Sequence, residues 1–384
     1  ASEVGLALVV LVAAGLMVKS MVRLFAVDIG FDPRNILTME ISVPQSNTYY
    51  SPPEHPRFCE EIADRVGTMP GVLRASAAAH LPLRGNAGRG FQIEGRPVSA
   101  PGEEPGASYT VACPGYFRAL GVPVLQGREF TREDTVNSLG VVVVNEALAR
   151  RDWPGEDPVG KRLAIDMDGA AKWLTIVGVV GNVRHWGLAQ DVRPQLFRPY
   201  TQAAWPWMHV VVRTAVAPAS FAPRVKEAMG RIEPDRPLAA PRTMEEIVRG
   251  SVGSRRFPML MLAAFAGLAL VLAAVGIIGV VSYSVTQRTH EIGIRVALGA
   301  QRRDVVWLII RNSMAWVLVG IAGGLAASIA ASRLLSGMLY EVKPGDPLVL
   351  AAVAAILSVV ALIATYVPAR RATTVDPLVA LRTE

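Results

Sequence analysis

The placement of apolar runs constrains this chain more than any motif does. One run, Val4–Val18, opens it. Three more, Phe257–Gln287, Asn312–Ser332 and Pro347–Ala369, crowd its end, with no charged residue in any of them. A bilayer core about 30 Å thick takes roughly 20 apolar helical residues, and each late run is that long. Lipid offers the backbone no hydrogen-bond partners, so each run must close its own bonds as a helix. The first run is shorter, but Lys19 can snorkel and extend its apolar surface through Met21, Val22, Leu24 and Phe25. A signal-peptide core would carry a basic flank, whereas only Ala1, Ser2 and Glu3 precede this one. The expectation is a membrane helix in a chain whose natural N-terminus is missing, since no initiator Met is present. Lys19–Arg256, between the first and second runs, has ordinary globular composition. The fold class expected is an α+β membrane protein: four transmembrane helices arranged 1+3 around a large extracytoplasmic α/β domain.

Charge decides which side is which. The chain carries 39 Lys+Arg against 32 Asp+Glu, a net +7. Such a balance can mean nucleic acid, but the late basic residues gather at helix ends, so membrane topology accounts for them and no nucleic-acid partner is expected. Arg288, Arg295, Arg302 and Arg303 follow the second run, and Arg370, Arg371 and Arg382 follow the fourth. The loop after the third holds only Arg333 and Lys343, offset by Glu341 and Asp346. The positive-inside rule puts the first two groups in the cytoplasm and the large domain outside. Lys19 and Arg23, at the outer end of the first helix, run against the rule. Cys59 and Cys113 form no CxxC and define neither a disulfide framework nor a metal site. Two buried free thiols are the expectation, with a single bridge open if the domain is extracytoplasmic.

Within the globular part, Leu37–Val43 is β-like and Glu54–Met69 has helical spacing, with Phe58, Ile62, Val66 and Met69 on one face. Pro70-Gly71 stops that helix, and Val72–Ala79 reads as the next strand. A second βαβ-type half comes late: strand Met208–Thr214, helix Phe221–Ile232, a short strand near Leu238, then Met244–Val248. Between the halves lies a β-rich insertion, about 121–204, in which Gly140–Val144, Lys161–Asp166 and Trp173–Val180 read as strands and Asn145–Asp152 as a helix. The Pro/Gly-rich stretch Gly95–Gly106 is a loop.

Candidate chemistry is sparse. Gly155–Lys161 matches a phosphate-binding loop up to the lysine, but Arg162 stands where Ser or Thr should hold magnesium, and Pro158 removes one amide from the cradle. A turn is the reading. Thr289-His290-Glu291 looks like the start of a zinc-protease helix, yet position 294 is Ile294, and His55, His80, His185 and His209 share no ligand spacing. No nucleophile elbow is present. No catalytic residue, cofactor or metal ligand is assigned, and the chain is not expected to be an enzyme. Arg288–Ala300 reads as a short amphipathic helix in which Glu291 and Arg295 can pair, Ile292, Val296 and Leu298 form the apolar side and Gly299 stops it. From composition it is equally an interfacial helix on lipid or a peg for a partner protein. Gly320, Gly324, Ser328 and Ser332 recur every four positions in the third of the four runs, a ridge that permits close helix approach. The near absence of ionisable residues at mid-depth argues against a channel or ion-coupled carrier.

Three sets of residues carry a family resemblance. Ser282–Ala300, with its Glu291-Ile292-Gly293-Ile294-Arg295-Val296-Ala297-Leu298-Gly299-Ala300 core, resembles the cytoplasmic loop of FtsX-like permeases of ABC systems. So does the tail Pro368-Ala369-Arg370-Arg371-Ala372 with Asp376-Pro377 and Ala380-Leu381-Arg382. Val141–Leu163 with Trp153-Pro154-Gly155, Ile176–Arg184 and Arg242-Thr243-Met244 resemble the MacB-like periplasmic core domain. The likeness covers nearly the whole chain, and the nearest subgroup is that of large eight-helix permeases in which such a unit is the second half of a tandem repeat. The resemblance implies a division into 1–25 (first helix), 26–250 (periplasmic core domain) and 251–384 (permease domain, helices about 257–284, 306–333 and 347–368). It implies a multi-pass protein of the bacterial inner membrane. Its partners would be a cytoplasmic ABC ATPase subunit, a second permease half or protomer, the lipid membrane and periplasmic proteins. Arg288, Glu291, Ile292, Gly293, Arg295, Leu298, Gly299 and Ala300 would couple to the ATPase, while Gly320, Gly324 and Ser328 would pack helices. ATP-driven movement of the outer domain would export or extract an amphiphile, peptide or lipoprotein; the alternative is an FtsX-type signalling scaffold that regulates cell-wall hydrolases.

Overall fold

The computed structural model describes residues 2–43, 53–97, 103–167, 170–234, 236–288, 291, 301–334, 337 and 339–372. The chain divides into two compact units, Val27–Gly253 and the pair of segments Ala1–Ala26 and Ser254–Glu384.

Val27–Gly253 is built on one twelve-stranded sheet. Its elements in order are β1 (Ile36–Ser42), α2 (Phe58–Arg65), β2 (Val72–Ala78), β3 (Ala87–Gly90), β4 (Gln92–Ile93), β5 (Gly106–Ala112) and α3 (Tyr116–Leu120). Next come β6 (Val124–Gly127), β7 (Val141–Asn145), α4 (Glu146–Asp152), β8 (Arg162–Met167), β9 (Ala170–Val180) and β10 (Gln195–Pro199). The last are β11 (Trp207–Thr214), α5 (Ala222–Ile232), β12 (Arg242–Thr243) and α6 (Met244–Ser251). Strand order is β12-β1-β11-β2-β5-β10-β7-β9-β8-β4, with β3 on β5 and β6 on β9. β1 and β2 both run antiparallel to β11, which lies between them, so β1-α2-β2 is a split βαβ unit. β11-α5-β12 is a second, interleaved with the first, since β1 lies between its two strands. The remaining strands, β3–β10, leave the chain between β2 and β11 and extend the same sheet.

Alternation puts Leu37, Met39 and Ile41 of β1 and Val210 and Val212 of β11 on one face. Helical spacing puts Phe58, Ile62 and Val66, and Val225, Met229 and Ile232 of α5, against them in one core. The segment expected to be helical from Glu54 to Met69 is helix only over Phe58–Arg65. It ends where the Gly67 N–H returns to the Ile62 carbonyl at 3.1 Å, and a Cβ at Gly67 would meet the Ala63 carbonyl. Met244–Val248 falls in α6, whose start is a capping box between Thr243 and Glu246. Asn145, fully buried, ties three elements together. Its Oδ1 accepts from the Leu148 N–H at 3.0 Å to cap α4 and from the Gln195 N–H at 2.8 Å at β10, while its Nδ2 donates to Asn182 Oδ1.

The expectation of two free thiols is overturned. Cys59 and Cys113 form a disulfide, Cα to Cα 5.5 Å, which joins the start of α2 to the turn between β5 and α3. The two are 54 residues apart in sequence, and only the β1-α2-β2 crossover and the β2–β5 pairing bring them together.

The second unit comprises α1 (Ser2–Phe25), α7 (Gly253–Gln287), α8 (Arg302–Leu334) and α9 (Pro347–Ala372). All four helices are long and apolar enough to cross a membrane. Val4, Leu8, Val12 and Leu16, one residue per turn of α1, pack with Val317 and Ile321 of α8 and Val349, Val353 and Leu357 of α9. Outward-facing Leu260, Phe265, Leu268, Val271, Leu272 and Val275 of α7 are more than half exposed. In water that surface would aggregate; in a bilayer it meets lipid of its own polarity.

Candidate functional site

The coupling segment singled out in the sequence begins at the end of α7. Arg288 occupies the turn directly after that helix, its N–H bonded to the Val285 carbonyl at 3.1 Å. Arg288 and Glu291 line a cavity of about 210 Å³ together with Ser284 of α7 and Asp304, Val305 and Leu308 of α8. Asp304 caps the start of α8, its Oδ2 accepting from the Gln301 N–H at 3.1 Å. Arg288 makes no ion pair among the described residues. Ile292, Gly293, Arg295, Leu298, Gly299 and Ala300 lie outside the described residues. A cleft of about 370 Å³ shares Ser284, Arg288, Asn312 and Ser313 with the first cavity and reaches Glu3 and Trp316 between α1, α7 and α8.

Gly320 and Gly324 face α1 at one point, Gly5. A Cβ on Gly324 would stand 3.0 Å from both Cα and carbonyl oxygen of Gly5, and a Cβ on Gly5 would stand 3.4 Å from the Gly320 carbonyl. Three glycines thus bring two backbones together. Ser328 is buried and donates its hydroxyl to the Gly324 carbonyl at 2.7 Å, which satisfies it within its own helix. A second close approach lies outside that ridge: a Cβ on Gly15 would meet Val349 Cγ1 of α9 at 2.9 Å. The signal was there, since Gly5 and Gly15 are the only glycines in the first apolar run.

The two cations that run against the positive-inside rule are both engaged. Lys19 Nζ meets Asp346 Oδ2 at 2.7 Å, and Arg23 donates to the Glu341 carbonyl. Ser20 Oγ accepts from the Tyr340 N–H at 2.8 Å. The last two turns of α1 are therefore stitched to the loop between α8 and α9. The hydrogen bond from Lys19 draws the Asp346 carboxyl below its ordinary value, against its partial desolvation.

In the other unit, Gly155–Lys161 is the turn between α4 and β8. Asp157 Oδ1 accepts from the Val159 N–H at 2.9 Å, and Lys161 is engaged by Glu156. His55 sits between two carboxylates, Nδ1 at 2.5 Å from Glu233 and Nε2 at 3.1 Å from Glu61. Among the described residues no group of three His, Cys, Asp or Glu side chains is placed to hold a metal ion.

Residues 4–228 match the family described as MacB-like periplasmic core domain, and residues 263–377 match that described as FtsX-like permease C-terminal. A macrolide export ATP-binding/permease protein MacB from Chromobacterium violaceum is 30% identical over 285 residues, 70% of this chain and 42% of that protein. One from Mannheimia succiniciproducens is 25% identical over 290 residues, 70% of this chain and 42% of that protein. The chain thus spans about two fifths of the length of these curated relatives. Among solved structures, the periplasmic region of MacB from Actinobacillus actinomycetemcomitans aligns with 58% of this chain and 94% of its own, at 14% identity and a TM-score of 0.38. The extracellular domain of the noncanonic ABC-type transporter YknZ from Gram-positive bacteria aligns with 52% and 93%, at 16% identity and a TM-score of 0.33.

Proposed function

The chain belongs to the ABC-transporter permeases that combine a MacB-like periplasmic core domain with an FtsX-like permease region, and from that premise we propose that it couples ATP hydrolysis by a cytoplasmic ATPase subunit to movement of Val27–Gly253 outside the membrane. It is an inner-membrane protein; the proposal adds the direction. α1 and α7 run covalently into the two ends of Val27–Gly253, and α7 ends at its other pole in the Arg288–Ala300 segment. That continuity is the observation that carries the reading, because a push on the loop at Arg288 has an unbroken helix along which to travel. Residues 1–25, 26–250 and 251–384 are then the entry helix, the moving domain and the permease domain, in a 1+3 arrangement.

Two features support an extracytoplasmic domain. The Cys59–Cys113 bridge suits an oxidising compartment, since cytosolic thiols are kept reduced. Asp346 offsets the charge of Lys19, one of the two cations that would oppose that orientation. Arg288, Glu291, Ile292, Gly293, Arg295, Leu298, Gly299 and Ala300 form the peg that meets the ATPase, and a second permease half or protomer completes the machine. The work done is export or extraction of an amphiphile, peptide or lipoprotein.

The test is co-purification of the tagged chain from its native membrane. The expected result is an ABC ATPase bound to wild type and lost on Glu291→Lys or Arg295→Glu with membrane insertion intact. Retention of the ATPase by both variants, or a cell-wall hydrolase as the principal partner, contradicts the proposal.

A further inference from the structure

Val27–Gly253 contains a cavity of about 490 Å³ between α2, α3 and the turn after β6. Cys59, Pro114, Val124 and Phe130 give it an apolar wall, and the disulfide pins α2 to the β5–α3 turn beside it. Its charged groups are matched one to one. Arg128 makes two contacts of 2.8 Å to Asp134, Arg132 reaches Asp64 at 3.2 Å, and Glu60 lies 3.6 Å from Arg57. Glu129 is the exception. Its side chain is 6% exposed, its Oε1 meets Arg118 Nε at 2.5 Å, and its Oε2 is buried without a hydrogen-bond partner.

A buried carboxylate oxygen lacking a donor is rare in a folded protein, because the water it gave up has not been replaced. Burial pushes the Glu129 carboxyl above its ordinary value, against the pull of Arg118 and Arg74. The unpartnered oxygen calls for a hydrogen-bond donor, and a positively charged one would also offset the charge of the buried carboxylate. An anion would find every arginine on this wall already committed and would meet the carboxylate of Glu129. From these contacts we infer that the cavity binds a small organic ammonium, an amine carried on an apolar body, with its N–H groups on Glu129 and its body against Val124, Phe130 and the disulfide. No feature of the ATPase-coupled reading assigns this site, and occupancy requires neither ATP nor an ATPase.

The experiment measures binding of phenethylamine, 2-phenylethanol and phenylacetate to the full chain in nanodiscs, by saturation-transfer NMR without nucleotide. Three molecules of one shape separate charge from burial. The expected result is phenethylamine tighter than the alcohol and the acid by at least about tenfold. Glu129→Gln should erase that preference, and Ala63→Phe, which fills the cavity from α2, should weaken the amine and the alcohol alike. Phenylacetate binding as well as the amine, no amine binding by wild type, or amine affinity unchanged in both variants would each overturn the inference. If Glu129→Gln does not fold, the Ala63→Phe result decides. Because the assay contains no ATPase, its failure leaves the coupling proposal standing, and failure of the coupling proposal leaves this site standing.

Discussion

Single residues here are governed by where their charge goes. Lys19 is tolerable at the end of an apolar helix because Asp346 meets it, and neither partner is neutral alone. Asp346→Leu should lower the thermal midpoint of the detergent-solubilised chain, and Lys19→Met in the same chain should restore much of it. Equal loss in the double variant would show that the pair matters for something other than charge. His55 has the opposite pull of two effects. Burial alone would lower it, but the hydrogen bonds to Glu233 and Glu61 outweigh burial and raise it above the ordinary value. A raised folded value contributes stability that is complete below the unfolded value near 6.5 and is lost as pH rises through the folded one. Urea midpoints should therefore fall between pH 6 and pH 8.5 in wild type and stay flatter in His55→Gln. His80 is held down to about 4 and His185 and His209 to about 3, each chiefly by burial. Their contribution has the reverse sign: it is complete above pH 6.5 and lost as pH falls toward 4 and 3, so the same titration should also descend on its acid side.

At the scale of elements, close approach and cross-linking do what propensity cannot. Gly324 against Gly5 leaves no room for a side chain, since a Cβ would meet backbone rather than a flexible tip. Gly324→Val should cost about 1–3 kcal/mol by overpacking, while Gly323→Ala, which meets nothing within 4 Å, should be neutral within about 0.5 kcal/mol. Detergent-resistant thermal melts of the two variants make the comparison. Reducing the Cys59–Cys113 bridge opens a loop of 54 residues, for which chain entropy gives about 4 kcal/mol; urea unfolding with and without reductant should show a loss of that order.

These two devices also mark the limit of what the sequence discloses. Apolar periodicity made the four long helices, Phe58–Ile62–Val66 and the strands Val141–Asn145 and Trp207–Thr214 legible, because burial on a fixed face writes itself locally. The cysteine pair, the partner of the Gly320–Gly324 ridge and the burial of Glu129 depend on residues distant in sequence, and no local pattern records them. The interleaving of two βαβ units around β1 and β11 is of the same kind: each unit can be read in sequence, but not which strand lies between which.

For the whole molecule, the proposed function requires transmission from the loop after α7 to the unit that α1 and α7 flank in the chain. Leu73 and Leu348, 53% and 68% exposed, lie one in each unit and accept spin labels as cysteine variants without disturbing a core. The decisive measurement is the distance distribution between labels at these two positions, by pulsed electron resonance on the chain assembled with its ATPase, with and without ATP. The account predicts a nucleotide-dependent shift in wild type that disappears in Glu291→Lys. Identical distributions with and without ATP, in an assembly that still binds and hydrolyses it, would contradict it.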